Sequence, residues 1–231
     1  MLLLPGCKKA LDYIVHHPGN KVNCRIERIT FRDTITFFYD EHGNPVSLRY
    51  AEPIDIYSND KVFKYDEQHR LLLYLNNLAA GGALWWHKYT YVNDHLIIDT
   101  TGVYTDGDWS ANDSPDYASY YYVTTFELDG LGRVIKETIK YPSNILRVFT
   151  YAYDGNGNLI KPGVTYSNKI SMWQTNKVWM FLHRDYSVNS PAGLASQYNQ
   201  YKLPVKLNVM PEFFYGFEFS VPDIVVSYKC K

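Results

Sequence analysis

The feature that most constrains this chain is a short pattern that recurs along it. An aromatic run ends in Tyr-Asp, two residues follow, and Gly-Asn or Gly-Arg opens another extended run. Phe38-Tyr39-Asp40-Glu41-His42-Gly43-Asn44 and Tyr153-Asp154-Gly155-Asn156-Gly157-Asn158 are the fullest copies, and Leu128-Asp129-Gly130-Leu131-Gly132-Arg133 keeps the same Asp-to-Gly spacing. Asp favours the first position of a type I turn because its carboxylate accepts a backbone N–H two residues on, and Gly takes the following left-handed position without a Cβ clash. This is the chemistry of β-hairpins.

Two degenerate copies extend the series. Phe63-Lys64-Tyr65-Asp66-Glu67-Gln68-His69-Arg70 has His where the others have Gly, and Tyr89-Thr90-Tyr91-Val92-Asn93-Asp94-His95 is one residue shorter and uses Asn-Asp. Both remain compatible with tight turns. Asp40 to Asp66 and Asp129 to Asp154 each span about 25 residues, which suits one two-stranded unit plus a connector. The expectation is an all-β fold: a twisted antiparallel sheet of successive β-hairpins with few short helices.

Alternation supports this reading. Phe31, Ile35, Phe37 and Tyr39 fall on one side of a strand and Arg32, Thr34 and Thr36 on the other, as in a sheet with one buried and one wet face. The same pattern sets Ile135, Ile139 and Tyr141 opposite Lys136, Thr138 and Lys140, sets Phe149, Tyr151 and Tyr153 opposite Thr150, and sets Phe213, Tyr215, Phe217 and Phe219 opposite Glu218 and Ser220. These strands are expected to supply much of the core. A short turn over 11–17 stopped by Pro18, and a helix capped by Thr175 that carries Val178, Phe181 and Leu182 on one side, are the helical expectations. No linker divides the chain, so residues 8–231 read as one β-rich domain with hairpin repeats over about 37–161.

With 23 basic and 24 acidic residues and no basic run longer than Lys8-Lys9, the chain carries no electrostatic footprint for nucleic acid. It contains no phosphate-cradling glycine loop, no nucleophile elbow and no His spacing suited to zinc, so no cofactor or metal is expected. Asp106-Gly107-Asp108-Trp109-Ser110-Ala111-Asn112 places oxygens at alternate positions as calcium loops do, but Ala111 stands where such a loop needs Gly and Tyr117 where it needs a bidentate Glu. An ordinary Asx-rich loop fits better.

Leu4-Pro5-Gly6-Cys7 resembles a lipobox, the tetrad at which bacterial lipoprotein signals are cut; Pro5 departs from the usual small residue, and the apolar lead is short. On that resemblance Cys7 is the lipidated residue and residues 1–7 a truncated signal, with a frayed terminus as the alternative. Membrane association would then be through lipid only. Cys24 and Cys230 both point inward by alternation. A disulfide between neighbouring first and last strands and two separate buried thiols remain open alternatives.

The Tyr-Asp-x-x-Gly-[Asn/Arg] copies resemble the YD repeats of the RHS type, and together with Cys7 the chain is similar to Bacteroidetes-type envelope lipoproteins of unknown function that carry a few such units. The segment from Arg184 to Pro191, then Tyr198 to Pro204, and the ending Tyr228-Lys229-Cys230-Lys231 are similar to their trailer. The resemblance implies a β-rich fold and a location in the bacterial cell envelope, at the outer membrane or in the periplasm. It assigns no catalytic residues.

The aromatics Trp85, Trp86, Trp109, Tyr117 and Tyr121, the last within Tyr120-Tyr121-Tyr122, are the candidate binding residues, since flat rings stack on sugars or anchor a protein. Consecutive aromatics in a strand cannot all face inward. The leading expectation is a non-enzymatic, lipid-anchored envelope protein that binds a glycan or an envelope protein. A polysaccharide hydrolase using a carboxylate pair from the Asp106–Asp116 loop, and a structural module of an envelope assembly, are the alternatives.

Overall fold

The computed structural model describes residues 23–51, 60–76, 84–104, 120–209 and 223–231. The expected turn at 11–17, the Phe213–Phe219 run and the Asp106–Asp116 loop lie outside them, as does Cys7.

The described residues form an antiparallel β structure. The strands are β1 (Cys24–Thr30), β2 (Thr34–Tyr39), β3 (Pro45–Tyr50), β4 (Lys61–Tyr65), β5 (Leu71–Asn76), β6 (Leu84–Asn93), β7 (Leu96–Tyr104), β8 (Tyr120–Leu128), β9 (Val134–Lys140) and β10 (Leu146–Thr150). Each is hydrogen-bonded to the next, as in a meander. After β11 (Tyr166–Ile170), a 3-10 turn (Met172–Thr175) and the helix α1 (Lys177–His183) come β12 (Asn189–Pro191), β13 (Ala195–Tyr198), β14 (Pro204–Leu207) and β15 (Ile224–Cys230). The thirteen-stranded sheet has the order β10-β9-β8-β7-β6-β5-β4-β3-β2-β1-β15-β14-β13, and β11 pairs with β12 apart from it. It is open, with β10 at one edge and β13 at the other.

The turn chemistry accounts for the repeat residue by residue. Asp66 Oδ1 accepts the N–H groups of Gln68 at 3.0 Å and Arg70 at 2.8 Å, while Oδ2 takes Arg70 Nε at 2.7 Å. Asp129 does the same with Leu131, Arg133 and the Arg133 side chain. In the first copy Asn44 Nδ2 reaches Asp40 Oδ2 at 3.0 Å. Asn44, Arg70 and Arg133 are interchangeable in the last position because each supplies a side-chain N–H to the second carboxylate oxygen, while Asn158 uses its backbone N–H and turns its Oδ1 to Asn189. The left-handed position is filled by Gly43 at φ 82° and Gly132 at φ 78°, and His69 takes it at φ 57°.

The tyrosines link one repeat to the previous one. Tyr65 Oη donates to the Pro45 carbonyl at 2.7 Å, Tyr91 to Leu71 at 3.1 Å and Tyr153 to Val134 at 3.3 Å. Each acceptor is the residue directly after the preceding turn. The guanidinium of that turn lies over the ring that reaches back, Arg70 over Tyr91 at 4.4 Å and Arg133 over Tyr153 at 4.1 Å. Burial pushes these phenols up, Tyr91 to about 12, so they remain hydrogen-bond donors.

The inner face buries Ile35, Phe37, Leu48, Phe63, Tyr89 and Phe126, and α1 packs across it. Trp179, fully buried, sits edge-on to Phe37 and Phe63 at 5.6 Å each, and Phe181 sits edge-on to Tyr89 and Phe126 at 5.3 Å each. Asn176, not Thr175, caps the helix. Its Oδ1 accepts Val178 N–H at 2.8 Å and its Nδ2 donates to the Gly43 carbonyl at 2.9 Å, whereas Thr175 donates its hydroxyl to Met172 at the end of the 3-10 turn. An amide that caps the helix and also holds a hairpin turn suits this position better than a hydroxyl. At the other end Arg184 closes the helix at φ 53° and lies 4.0 Å from the Phe126 ring.

Three expectations about faces need correction. Val134 is the buried residue of β9, because a register shift beside Leu128 displaces Ile135 from the alternation. Phe149 is 46% exposed, since every residue of β10 is exposed at the sheet edge. The outer face is not wet throughout, for Leu75 and its cross-strand partner Trp86 are buried there.

β1 and β15 lie side by side and Cys24 and Cys230 are joined by a disulfide. Lys231 N–H bonds to the Asn23 carbonyl, which makes the cysteines a non-hydrogen-bonded pair, the position where facing side chains approach most closely.

Candidate functional site

All the Tyr-Asp turns lie at one end of the sheet, and α1 covers the inner face on that side through its bonds to Gly43 and, by Lys177 Nζ, to the His69 carbonyl at 3.3 Å. Towards the opposite end the inner face changes character. The inward positions there are Lys61, Asn76, Trp85, His87, Thr101, Tyr122 and Tyr141, in neighbouring strands or at their ends.

Asp99, on β7, is buried and sits at the centre of this group. His87 Nδ1 is 2.9 Å from Asp99 Oδ2 and 3.0 Å from Thr101 Oγ1, and the Thr101 hydroxyl donates to Asp99 Oδ1 at 3.3 Å. Both partners of the ring lie on Nδ1. The hydroxyl and the carboxylate meet the same ring nitrogen. A nucleophile relay needs them on opposite nitrogens, so these three residues form a locked polar cluster and not a hydrolytic triad.

Rings flank the cluster. Tyr74 stacks on His87 at 5.3 Å and on Phe63 at 5.3 Å, and Tyr122 lies 5.7 Å from Tyr141. Lys61 is buried and donates from Nζ to Asn76 Oδ1 at 3.0 Å. Burial pulls its pKa down to about 8, against the opposing pull of Asp60.

Trp85 and Trp86 face opposite ways. Trp85, half-buried, pairs in register with Asn76 and shares the face of His87. Trp86 is 4% exposed on the outer face and lies over Gly102, where an added Cβ would stand 2.3 Å from the indole. Glycine is required there so that the ring can lie flat against the backbone. Trp86 therefore offers no free ring face. Tyr121 pairs with Gly102 in β8, and Trp109 and Tyr117 lie outside the described residues. Among the described residues Trp85, and Tyr122 of the Tyr120-Tyr121-Tyr122 run, join the polar half of the inner face.

Lys61 and the His87–Asp99–Thr101 cluster were missed by sequence reasoning. A signal was present, since Asp99 stands two residues from Ile97 and His87 two from Tyr89, polar groups at inward positions of strands. Among the described residues no three His, Cys, Asp or Glu side chains gather as for a metal ion, and no helix is long and apolar enough to cross a membrane. Neither a known protein-family profile nor a curated protein matches the chain.

Proposed function

We propose that this chain is a non-catalytic, lipid-anchored protein of the bacterial cell envelope that binds a glycan on the polar half of its inner face. The observation that carries the reading is the placement of half-buried Trp85 beside the Asn76–Lys61 pair and next to the His87–Asp99–Thr101 cluster. A sugar ring stacks its C–H face on an indole and directs hydroxyls to a planar amide, and Trp85 and Asn76 are the half-buried pair that presents both. The locked His87–Asp99–Thr101 geometry favours recognition over bond cleavage.

A glycan array probed with the full chain tests this. Binding that is lost in Trp85→Ala and in Asn76→Ala, with melting temperatures held near that of the parent, supports the reading; no binding by the parent refutes it. The anchor rests on the Leu4-Pro5-Gly6-Cys7 tetrad. Incorporation of labelled palmitate in a bacterial host, abolished by Cys7→Ser, is the expected result, and a protein that takes up no label would remove the anchor from the proposal.

A further inference from the structure

The fifth Tyr-Asp hairpin returns along β10 for only a short distance. Tyr153 bridges Leu159 and the Ile160 N–H bonds to the Ala152 carbonyl, after which Lys161-Pro162-Gly163 turns the chain away, with Gly163 at φ 73°. Pro162 has no N–H with which to continue a ladder. Beyond Ala152, among the described residues, no strand pairs with the outer edge of β10.

The polarity of that edge follows from the register. Tyr141 N–H bonds to Ile145 and Tyr151 N–H bonds to Ile135, so Ile145, Arg147, Phe149 and Tyr151 direct their backbone groups inward to β9. Leu146, Val148 and Thr150 direct theirs outward. Of these, Leu146 and Val148 are apolar and open to solvent, at 59% and 55%. The strand has no lysine, proline or bulge, and its one charge, Arg147, leans over the Tyr141 ring at 5.4 Å. The far edge, β13, does have protection: its register slips twice against β14, and its central residues are Ser196 and Gln197.

We propose that β10 pairs antiparallel with β10 of a second copy of this chain, about a two-fold axis through Val148, to make one continuous sheet. In that register Val148 faces Val148 of the second copy and Leu146 faces Thr150, and all three outward residues on each side are used, in about six backbone hydrogen bonds. Arg147 faces Phe149 across the axis, so the one charge of the strand meets an aromatic face and not its own copy. Moving the axis to Thr150 would demand the Ala152 carbonyl, which Ile160 already holds. Moving it to Leu146 would demand the turn at Asn144, whose φ of 60° leaves the strand. The slot is five residues long between these two stops, and so is the strand that would fill it.

Sedimentation equilibrium of the unacylated full chain from about 1 to 200 µM tests the proposal, because a short edge pairing is expected to have a Kd on the order of 10 µM. Val148→Lys sets two like charges at the axis and is expected to raise Kd by at least about tenfold. Val148→Pro removes only an outward N–H and should do the same; if it also lowers the melting temperature, Val148→Lys decides. Ser196→Lys at the opposite edge should leave Kd unchanged. A chain that stays monomeric over the whole range overturns the proposal, and so does a dimer that Val148→Lys leaves intact.

Discussion

The Tyr65 hydroxyl donates to the Pro45 carbonyl at 2.7 Å across a sequence separation of 20. The bond ties the residue just before one turn to the carbonyl just past the turn before it. Tyr65→Phe deletes it and leaves the ring, so it is expected to cost about 1 kcal/mol. Urea unfolding should show a lower midpoint at an unchanged m-value, and Tyr153→Phe, remote in the sheet, should add to it without coupling. A change under about 0.3 kcal/mol would show that the hydroxyl is ornamental to the fold.

Asp129 supports two backbone N–H groups and the Arg133 side chain. Asp129→Ala leaves all three unsupported and should destabilise by about 2 kcal/mol, whereas Asp129→Asn keeps the backbone acceptor and should cost about half as much. The C-terminal turn already shows an amide in this role, with Asn199 Oδ1 accepting the N–H groups of Tyr201 and Leu203 at 3.0 Å each. Equal losses for the two variants in thermal unfolding would contradict this account.

His183 is stacked on Trp173 at 3.5 Å, and burial drives its pKa down to about 3 from an ordinary 6.5. The unfolded chain takes up a proton near pH 6.5 and the folded chain does not until near 3. Stability therefore falls as pH drops below 6.5, by up to about 1.4 kcal/mol per unit. Between pH 6.5 and 5, above the range in which carboxylates protonate, His183→Leu should remove most of this slope. An unaltered slope in the variant would assign the acid sensitivity to another group.

The Cys24–Cys230 bridge closes a loop with a sequence separation of 206. Chain-entropy reasoning gives such a crosslink up to about 5 kcal/mol. Dithiothreitol should lower the melting temperature of the parent and leave a Cys24→Ser, Cys230→Ser variant unchanged, with the reduced parent and the variant melting together.

The repeat was legible because its information is local. Asp40, Asp129 and Asp154 each specify a turn within five residues, and turns at such spacing leave little choice but a meander. Asn199 escaped notice because Tyr198-Asn199-Gln200-Tyr201-Lys202-Leu203 lacks both the Asp and the Gly, though Lys202 takes the left-handed position at φ 63°. Alternation reports which residues share a face and not whether anything covers it, so it places Phe149 with the core although the edge leaves it exposed. The candidate site was less legible still. His87, Asp99 and Thr101 come together only through the β6–β7 register, and Lys61 and Asn76 only through that of β4 and β5. The burial of Trp86 depends on Gly102 in the next strand, which no pattern within β6 can report.

The junction of β1 with β15 also sets an order of events during synthesis. Each strand from β2 to β10 meets its predecessor soon after it leaves the ribosome, so the meander can form progressively by short-range pairing. The free side of β1 has to wait for β15, which is made after the other described strands. Until then an aliphatic row that includes Ile26 and Ile29 lies along an unfilled edge, and this interval is when a nascent chain is most exposed to mispairing with its neighbours.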